Sequence, residues 1–469
     1  MPFYNKYKDA FLIFFSSTLY FLFAYSLERT EFNKLIILWF LLFGCFYILI
    51  KSKQTSFKTL AVVAILFRLI FLFATPNLSQ DFYRFIWDGR MILEGFNPYL
   101  TLPQTYIREG LAPIAEAEIL YQGMGELNGS NFTNYPPLNQ LCFLIAAVFS
   151  SKSIFGATLV LRIIIILADI GILYAGQKLL KKLQLPTKNI FWYLLNPFII
   201  IEMTGNLHFE PVMLFFLIFG MYQLYQQKWI LAALLIACSV SVKLIPLLFL
   251  PLFFQWFVCS NKVKQEDKQS TLSVRKKEIN WIPNKAGILN LFAFYVLIIF
   301  TNLLLFLPFY SSALIANYSS SVGLWFKNFE FNASFYYIFR EIGYLFRGYN
   351  EIGIIGQITP ILTIIFLGIL TFFRKYIILE QLFTAMLFGL CFYYFTATTV
   401  HPWYVATPLI LSIFTKYRFP IIWSLVIIVT YQAYANLPWQ ENLWLVSFEY
   451  FCVYGYLIYE IKGKKIAKQ

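Results

Sequence analysis

WILAALLIACSVSVKLIPLLFLPLFFQWFV (residues 229–258) contains one charged side chain, Lys243, followed closely by Pro246. A helix crosses a bilayer with about 20 apolar residues, so this stretch is too long for one straight span. Pro breaks a helix by removing a donor and crowding the preceding turn. Residues 229–258 are therefore expected to form two half-to-full spans meeting near Lys243. A lysine in such a setting either snorkels to the interface or marks a site.

The remainder of the chain is of the same kind. Of 469 residues, 59% are hydrophobic, 20% aromatic and 13% charged, and the mean hydropathy is +0.66. A soluble chain carries about 25% charged residues, so a soluble domain, a disordered chain and a coiled coil are all excluded. Apolar runs lie near 9–27, 34–50, 57–75, 154–176, 189–204, 208–226, 286–308, 353–373, 377–398, 402–415, 420–436 and 441–461, with 138–150 as a partly inserted segment. They predict an all-α polytopic membrane protein, a bundle of about 11–14 transmembrane helices in a single domain over 1–469. The first run reads as a signal anchor, because further spans follow it. Six cysteines lie mostly in or beside apolar runs without metal-ligand spacing and read as small hydrophobes.

The net charge of +14 would suggest nucleic acid for a soluble protein. In a membrane protein it reflects basic loops retained in the cytoplasm, so no nucleic-acid partner is expected. Placing the clusters at 51–58, 178–188, 262–285, 374–375, 416–418 and 462–468 inside puts both termini in the cytoplasm. Residues 260–285 then form a cytoplasmic linker. Residues 76–137, after the third span, and residues 309–352 become large outer loops. The first of these carries seven acids against three bases.

Its densest part is Asp81-Phe82-Tyr83-Arg84-Phe85-Ile86-Trp87-Asp88-Gly89-Arg90. If helical, Asp81, Arg84 and Asp88 share one face and Tyr83, Trp87 and Arg90 another. Gly95 and Asn97-Pro98 should end the helix. Such a helix is expected at the membrane interface, with local ion pairs as its plainer explanation. The same residue types recur at other outer turns: Tyr135-Pro136-Pro137, Gly205-Asn206-Leu207-His208-Phe209-Glu210, Phe331-Asn332-Ala333-Ser334 and His401-Pro402-Trp403-Tyr404. Arg162 and Asp169 are seven apart within one run, and a structural ion pair is expected between them. Asn128, Asn131, Asn317 and Asn332 match the short glycosylation pattern and carry no weight. Two histidines in the whole chain, His208 and His401, leave no His-rich metal site. Asp81, His208 and Glu210 are the one set suited to a hard cation, so a divalent ion is possible but not required.

Taken in order, an early outer-loop acid, a Tyr-Pro-Pro element, a Gly-Asn-x-His turn, an intramembrane Lys-x-x-Pro and a late His-Pro-Trp-Tyr resemble the GT-C integral membrane glycosyltransferases. More narrowly they resemble the bacterial polyprenyl-phosphate-mannose-dependent mannosyltransferases, over about residues 76–410. The resemblance implies an enzyme of the cytoplasmic membrane that acts on its outer face. It would move a hexose, mannose by analogy, from a polyprenyl-phosphate donor to a glycan or glycolipid acceptor, with inversion. Asp81 matches the family's base, and Asp88 leaves that assignment open. The growing charge on a leaving lipid phosphate needs fixed cations, for which Lys243 and an outer-loop arginine, Arg84 or Arg90, are candidates, with His401 as a further donor to the same phosphate oxygens. Tyr83, Trp87, Tyr135, Asn206, His208, Glu210, Trp403 and Tyr404 are the candidates for holding substrate. The rivals are a polymerase or ligase of lipid-linked glycans, in which 309–352 dominates, and a lipid or solute transporter, which predicts inverted repeats that the sequence lacks.

Overall fold

The computed structural model describes residues 2–150, 152–259, 285–327, 329–374, 376, 378–436 and 438–466. The expected linker 260–285 lies, apart from Lys285, outside the described residues. Among these residues the protein is all helical, with one isolated parallel bridge between Phe331 and Thr399. It is an all-α polytopic membrane protein.

The chain opens with α1 (Pro2–Ser26), α2 (Phe32–Lys51) and α3 (Phe57–Ile70). The acidic segment after them is built of α4 (Asp81–Leu93), α5 (Pro103–Arg108) and α6 (Ala117–Gly129), and α7 (Pro137–Ser150) follows. Helix α4 stops at Gly95, whose φ of +83° suits glycine. It is not a surface anchor. Nearly all of Phe82–Met91 is buried against α6 and α7. Gly89 permits that approach, since a Cβ there would lie 2.2 Å from the Phe143 carbonyl oxygen.

The long α8 (Ile154–Lys182) is followed by α9 (Phe191–Leu194), a π-helix at Ile199–Gly205, α10 (Glu210–Tyr225) and α11 (Trp229–Val242). After Lys243 come a 3-10 helix at Ile245–Leu252 and α12 (Phe253–Cys259), so the expected division at Lys243 is present. The rest comprises α13 (Lys285–Phe306), α14 (Leu314–Lys327), α15 (Phe335–Arg347), α16 (Ile352–Phe373), α17 (Leu379–Thr396), α18 (Ala406–Ile413), α19 (Phe419–Val426) and α20 (Leu443–Ile466). Trp39 on α2 donates to the Leu425 carbonyl at 2.8 Å, tying the two ends of the chain together.

Among the described residues, five helices are long and apolar enough to cross a membrane: Tyr7–Ser26, Phe32–Lys51, Ile154–Lys182, Lys285–Phe309 and Ile352–Phe373. A sixth span is formed if Ile199–Gly205 and Glu210–Tyr225, bent by 111°, count as one. The expected 11–14 transmembrane helices are thus not all single long helices among the described residues. Five apolar stretches are instead shorter helices, such as Trp229–Val242 and Pro402–Ile413. 3-10 turns interrupt Ile245–Val258, Pro402–Ile413 and Phe419–Ala435, and irregular backbone is tolerated where protein surrounds it.

The expected Arg162–Asp169 pair does not form. Asp169 accepts from Arg68 Nε at 2.7 Å, with both side chains fully buried. Arg162 donates instead to the carbonyls of Leu72, Thr204 and Gly205. Helix spacing put the two residues on one side of α8, but the open carbonyls at the end of the π-helix offered the Arg162 fork better partners.

Candidate active site

Asp81 opens α4, and its amide is held by Ser79 Oγ at 3.3 Å. Its carboxylate accepts from Asn128 Nδ2 at 3.3 Å. Burial raises the Asp81 pKa above the ordinary aspartate value, opposed by the Asn128 hydrogen bond and the charges of Lys243 and Arg29. One turn on, Arg84 donates through Nε to Asp88 at 2.8 Å and through Nη1 to the carbonyls of Asn128 and Asn131. Its Nη2 has no hydrogen-bond partner among the described residues. Asp88 is fully buried and also accepts from Gln140 at 3.0 Å.

The bend between the π-helix and α10 carries His208. Asn206 fixes it by accepting from the Leu78 amide at 2.9 Å and donating to Ile201 O at 3.1 Å, rather than by capping α10. Leu207 takes a left-handed φ of +62°, and Arg162 holds the carbonyls of Thr204 and Gly205 from behind. Glu210, in the first turn of α10, forms an ion pair with Lys243. Lys243 stands in extended backbone (φ −149°, ψ 144°) just past α11, which turns its side chain off the helix path.

The C-terminal half supplies the opposite wall. Phe331 exchanges backbone hydrogen bonds with Thr398 and Val400. The other side of this strap is clamped by Glu441, which accepts from the Asn332 amide at 2.7 Å, and by Glu449, which accepts from Asn332 Nδ2 at 3.2 Å. His401 follows the strap directly. Trp403 stacks on His401 (centroids 4.5 Å, 3°) and on His208 (3.9 Å, 20°). Burial and the Lys243 charge push the His401 pKa down to about 3, so at neutral pH it is an uncharged imidazole.

These elements enclose one cavity of about 580 Å³, lined among others by Asp81, Arg84, Tyr135, His208, Lys243, His401, Trp403 and Tyr404. Residues more than 300 positions apart in sequence meet there. The other predicted site residues lie behind or beside it. Asp88 anchors Arg84, Asn206 shapes the bend, and Glu210 stands behind Lys243. Arg90 is committed to Ala115 O, Lys152 O and Glu116. Tyr83 lies against Gly123 of α6 and Trp87 beside Tyr106. Trp403 offers less open ring face than its sequence position suggested, because two imidazoles stack on it.

The cavity also contains residues that sequence reading passed over. Arg29, from the α1–α2 connection, lies 3.3 Å from the Tyr434 ring centroid and lines the cavity with Tyr431, Tyr434 and Trp439. Asn128, Asn131 and Asn134 line it too. The cue for them was the Asn-rich run Asn128-Gly129-Ser130-Asn131-Phe132-Thr133-Asn134, whose amides suit hydroxyl-bearing ligands. Among the described residues no three His, Cys, Asp or Glu side chains group as ligands for a metal ion. The set of Asp81, His208 and Glu210 therefore does not form a cation cage.

Residues 13–259 match the family described as alpha-(1->6)-mannopyranosyltransferase, N-terminal domain, over more than half of the chain. The chain belongs to this family. Among individual relatives, it is 26% identical over 190 residues to alpha-(1->6)-mannopyranosyltransferase A of Corynebacterium glutamicum, covering 39% of this chain and 36% of the relative. It is 21% identical over 208 residues to the protein of the same name from Mycobacterium tuberculosis, covering 44% and 38%. The match thus spans little more than a third of each curated relative. Family membership agrees with the resemblance carried by the ordered motifs. The family match includes Arg29, Asp81, Arg84, His208 and Lys243 and ends before the wall that bears His401.

Proposed function

We propose that the protein is an inverting mannosyltransferase, taking mannose from a polyprenyl-phosphate carrier and passing it to a hydroxyl of a glycan or glycolipid. The observation that carries this reading is the meeting of a carboxylate, three cations and two imidazoles around one cavity in a member of a mannopyranosyltransferase family. In the reaction Asp81 takes the acceptor proton while the acceptor oxygen bonds to the anomeric carbon from the side opposite the leaving group. The bond from that carbon to the phosphate oxygen breaks, and the lipid phosphate leaves with the electron pair.

The charge that develops on that phosphate needs donors already in place. The open Nη2 of Arg84 and the Lys243 ammonium are suited to supply them, with Glu210 keeping Lys243 paired beforehand. Asp88 serves as the anchor of Arg84 rather than as the base, since both its oxygens are engaged. The amides of Asn128, Asn131 and Asn134 are placed to hold acceptor hydroxyls, and the apolar edge at Leu244, Ile245, Val322 and Leu324 suits the prenyl chain. Loop charge supports a cavity on the extracytoplasmic side of a bacterial cytoplasmic membrane, with both termini inside.

The test is to incubate purified protein with labelled polyprenyl-phosphate mannose, or with a nucleotide-linked mannose, and a mannoside acceptor. Transfer from the lipid carrier that Asp81→Asn abolishes is expected. Transfer from the nucleotide sugar alone, or full activity of Asp81→Asn, overturns the reading.

A further inference from the structure

Glu202 is absent from the motifs that singled out the site, yet it sits one residue layer behind the cavity. It lies in the π-helix Ile199–Gly205, in a run that is otherwise apolar apart from Thr204, and it is fully buried. An unpaired carboxyl in such a place is costly, so its surroundings should answer it. One oxygen is answered: Oε1 accepts from the Tyr431 hydroxyl at 2.8 Å, and Tyr431 lines the cavity. The other, Oε2, has no hydrogen-bond partner among the described residues, and neither has Nε2 of His208. The two atoms face each other at 3.7 Å, roughly 0.7 Å beyond an ordinary N–H···O contact. A donor-capable and an acceptor atom, both deeply buried, thus share one gap that a small side-chain rotation closes.

We propose that Glu202 is a positioning residue that sets the tautomer of His208, drawing its proton to Nε2 and leaving Nδ1 as the acceptor the ring offers to a sugar hydroxyl. An ionised carboxylate behind one ring nitrogen draws the ring proton to that nitrogen. Among the described residues, Lys243 and His401 are the other charged or titratable groups whose charge acts on the ring. The Lys243 ammonium makes a second cation in the same cavity unfavourable, so a neutral ring is the form that Glu202 orients. Trp403 stacks on that ring and stops it turning over. The hydroxyl as ligand rests on the transfer reading above, whereas the tautomer does not.

Because the chain has two histidines, the state of each ring can be read directly. Full-length protein labelled with ¹⁵N-histidine, with a His401→Gln variant for assignment, should show His208 as a neutral ring protonated at Nε2. In Glu202→Gln the ring should shift to the Nδ1-protonated form or a mixture, and Glu202→Asp should restore the original signal in part. A wild-type His208 protonated at Nδ1, or a tautomer unchanged by Glu202→Gln, overturns the proposal. Neither result depends on turnover, so failure here is distinct from failure of the transferase reading. In the transfer assay Glu202→Gln should raise KM for the sugar donor about tenfold, as expected for one hydrogen bond, with kcat little changed. A loss confined to kcat would count against hydroxyl recognition.

Discussion

The two walls of the cavity differ in kind. The wall formed by α4, the Asn128–Asn134 run, the 205–210 bend and Lys243 is polar and carries formal charge, with Asp81, Arg84, Asn206 and Lys243 held by hydrogen bonds or an ion pair. The wall formed by the 398–404 strap with Tyr431, Tyr434 and Trp439 carries stacked rings, and its imidazole is neutral. The first wall falls within the family match and the second lies beyond it. Charge chemistry needs fixed donors and acceptors, whereas holding a ring-shaped ligand needs rigid surfaces. On the proposed reading, bond making belongs to the first wall and substrate fit to the second.

The sharpest way to break this division is Asp81→Asn, which keeps size and removes the proposed base. Transfer should fall by about 10²–10⁴-fold in rate assays, with donor binding measured separately and retained. An equal loss from Trp403→Leu would erase the distinction between the walls.

Next in size is the Lys243–Glu210 pair. Lys243→Met leaves Glu210 buried without its partner and should lower stability by about 3 kcal/mol, read by thermal unfolding in detergent. Adding Glu210→Gln should recover most of that stability without recovering donor affinity. If the double variant binds donor normally, the phosphate contacts lie elsewhere.

On the second wall, Trp403→Leu removes stacking on two imidazoles. Such contacts are worth about 0.5–1.5 kcal/mol each, so kcat/KM should fall about tenfold, mostly through KM. A pure kcat loss would move this wall into the chemistry.

The smallest effect concerns pH. The base role proposed for Asp81 requires it ionised, and burial places its pKa above the ordinary aspartate range. The acid limb of kcat/KM should therefore lie higher than for an exposed aspartate. Arg29 opposes that shift, so Arg29→Gln should move the limb higher still. A limb that moves down contradicts the placement of Arg29 beside this carboxylate.

Much of this was legible in one dimension, for reasons that particular residues make plain. Helical periodicity put Asp81, Arg84 and Asp88 on one face, and α4 keeps that geometry. It did not say which carboxylate meets the cavity, because Gln140 and the burial of α4 against α7 decided that. Lys243 and Pro246 announced a broken span from composition alone, but the partner of the lysine came from a helix on the other side of the bend. The spacing of Arg162 and Asp169 suggested a pair, and Asp169 instead found Arg68, 101 residues away. Arg29 and Glu202 left no motif, since one lies in a short connection and the other in an apolar run.

Composition, apolar run length and the order of polar turns were enough to establish a helical membrane protein with a family resemblance, because those properties depend on local preference for lipid or water. Which of its carboxylates, cations and rings face a common cavity was decided by folding. Buried polar groups must find partners wherever packing brings them, and those partners come from chain segments hundreds of residues apart.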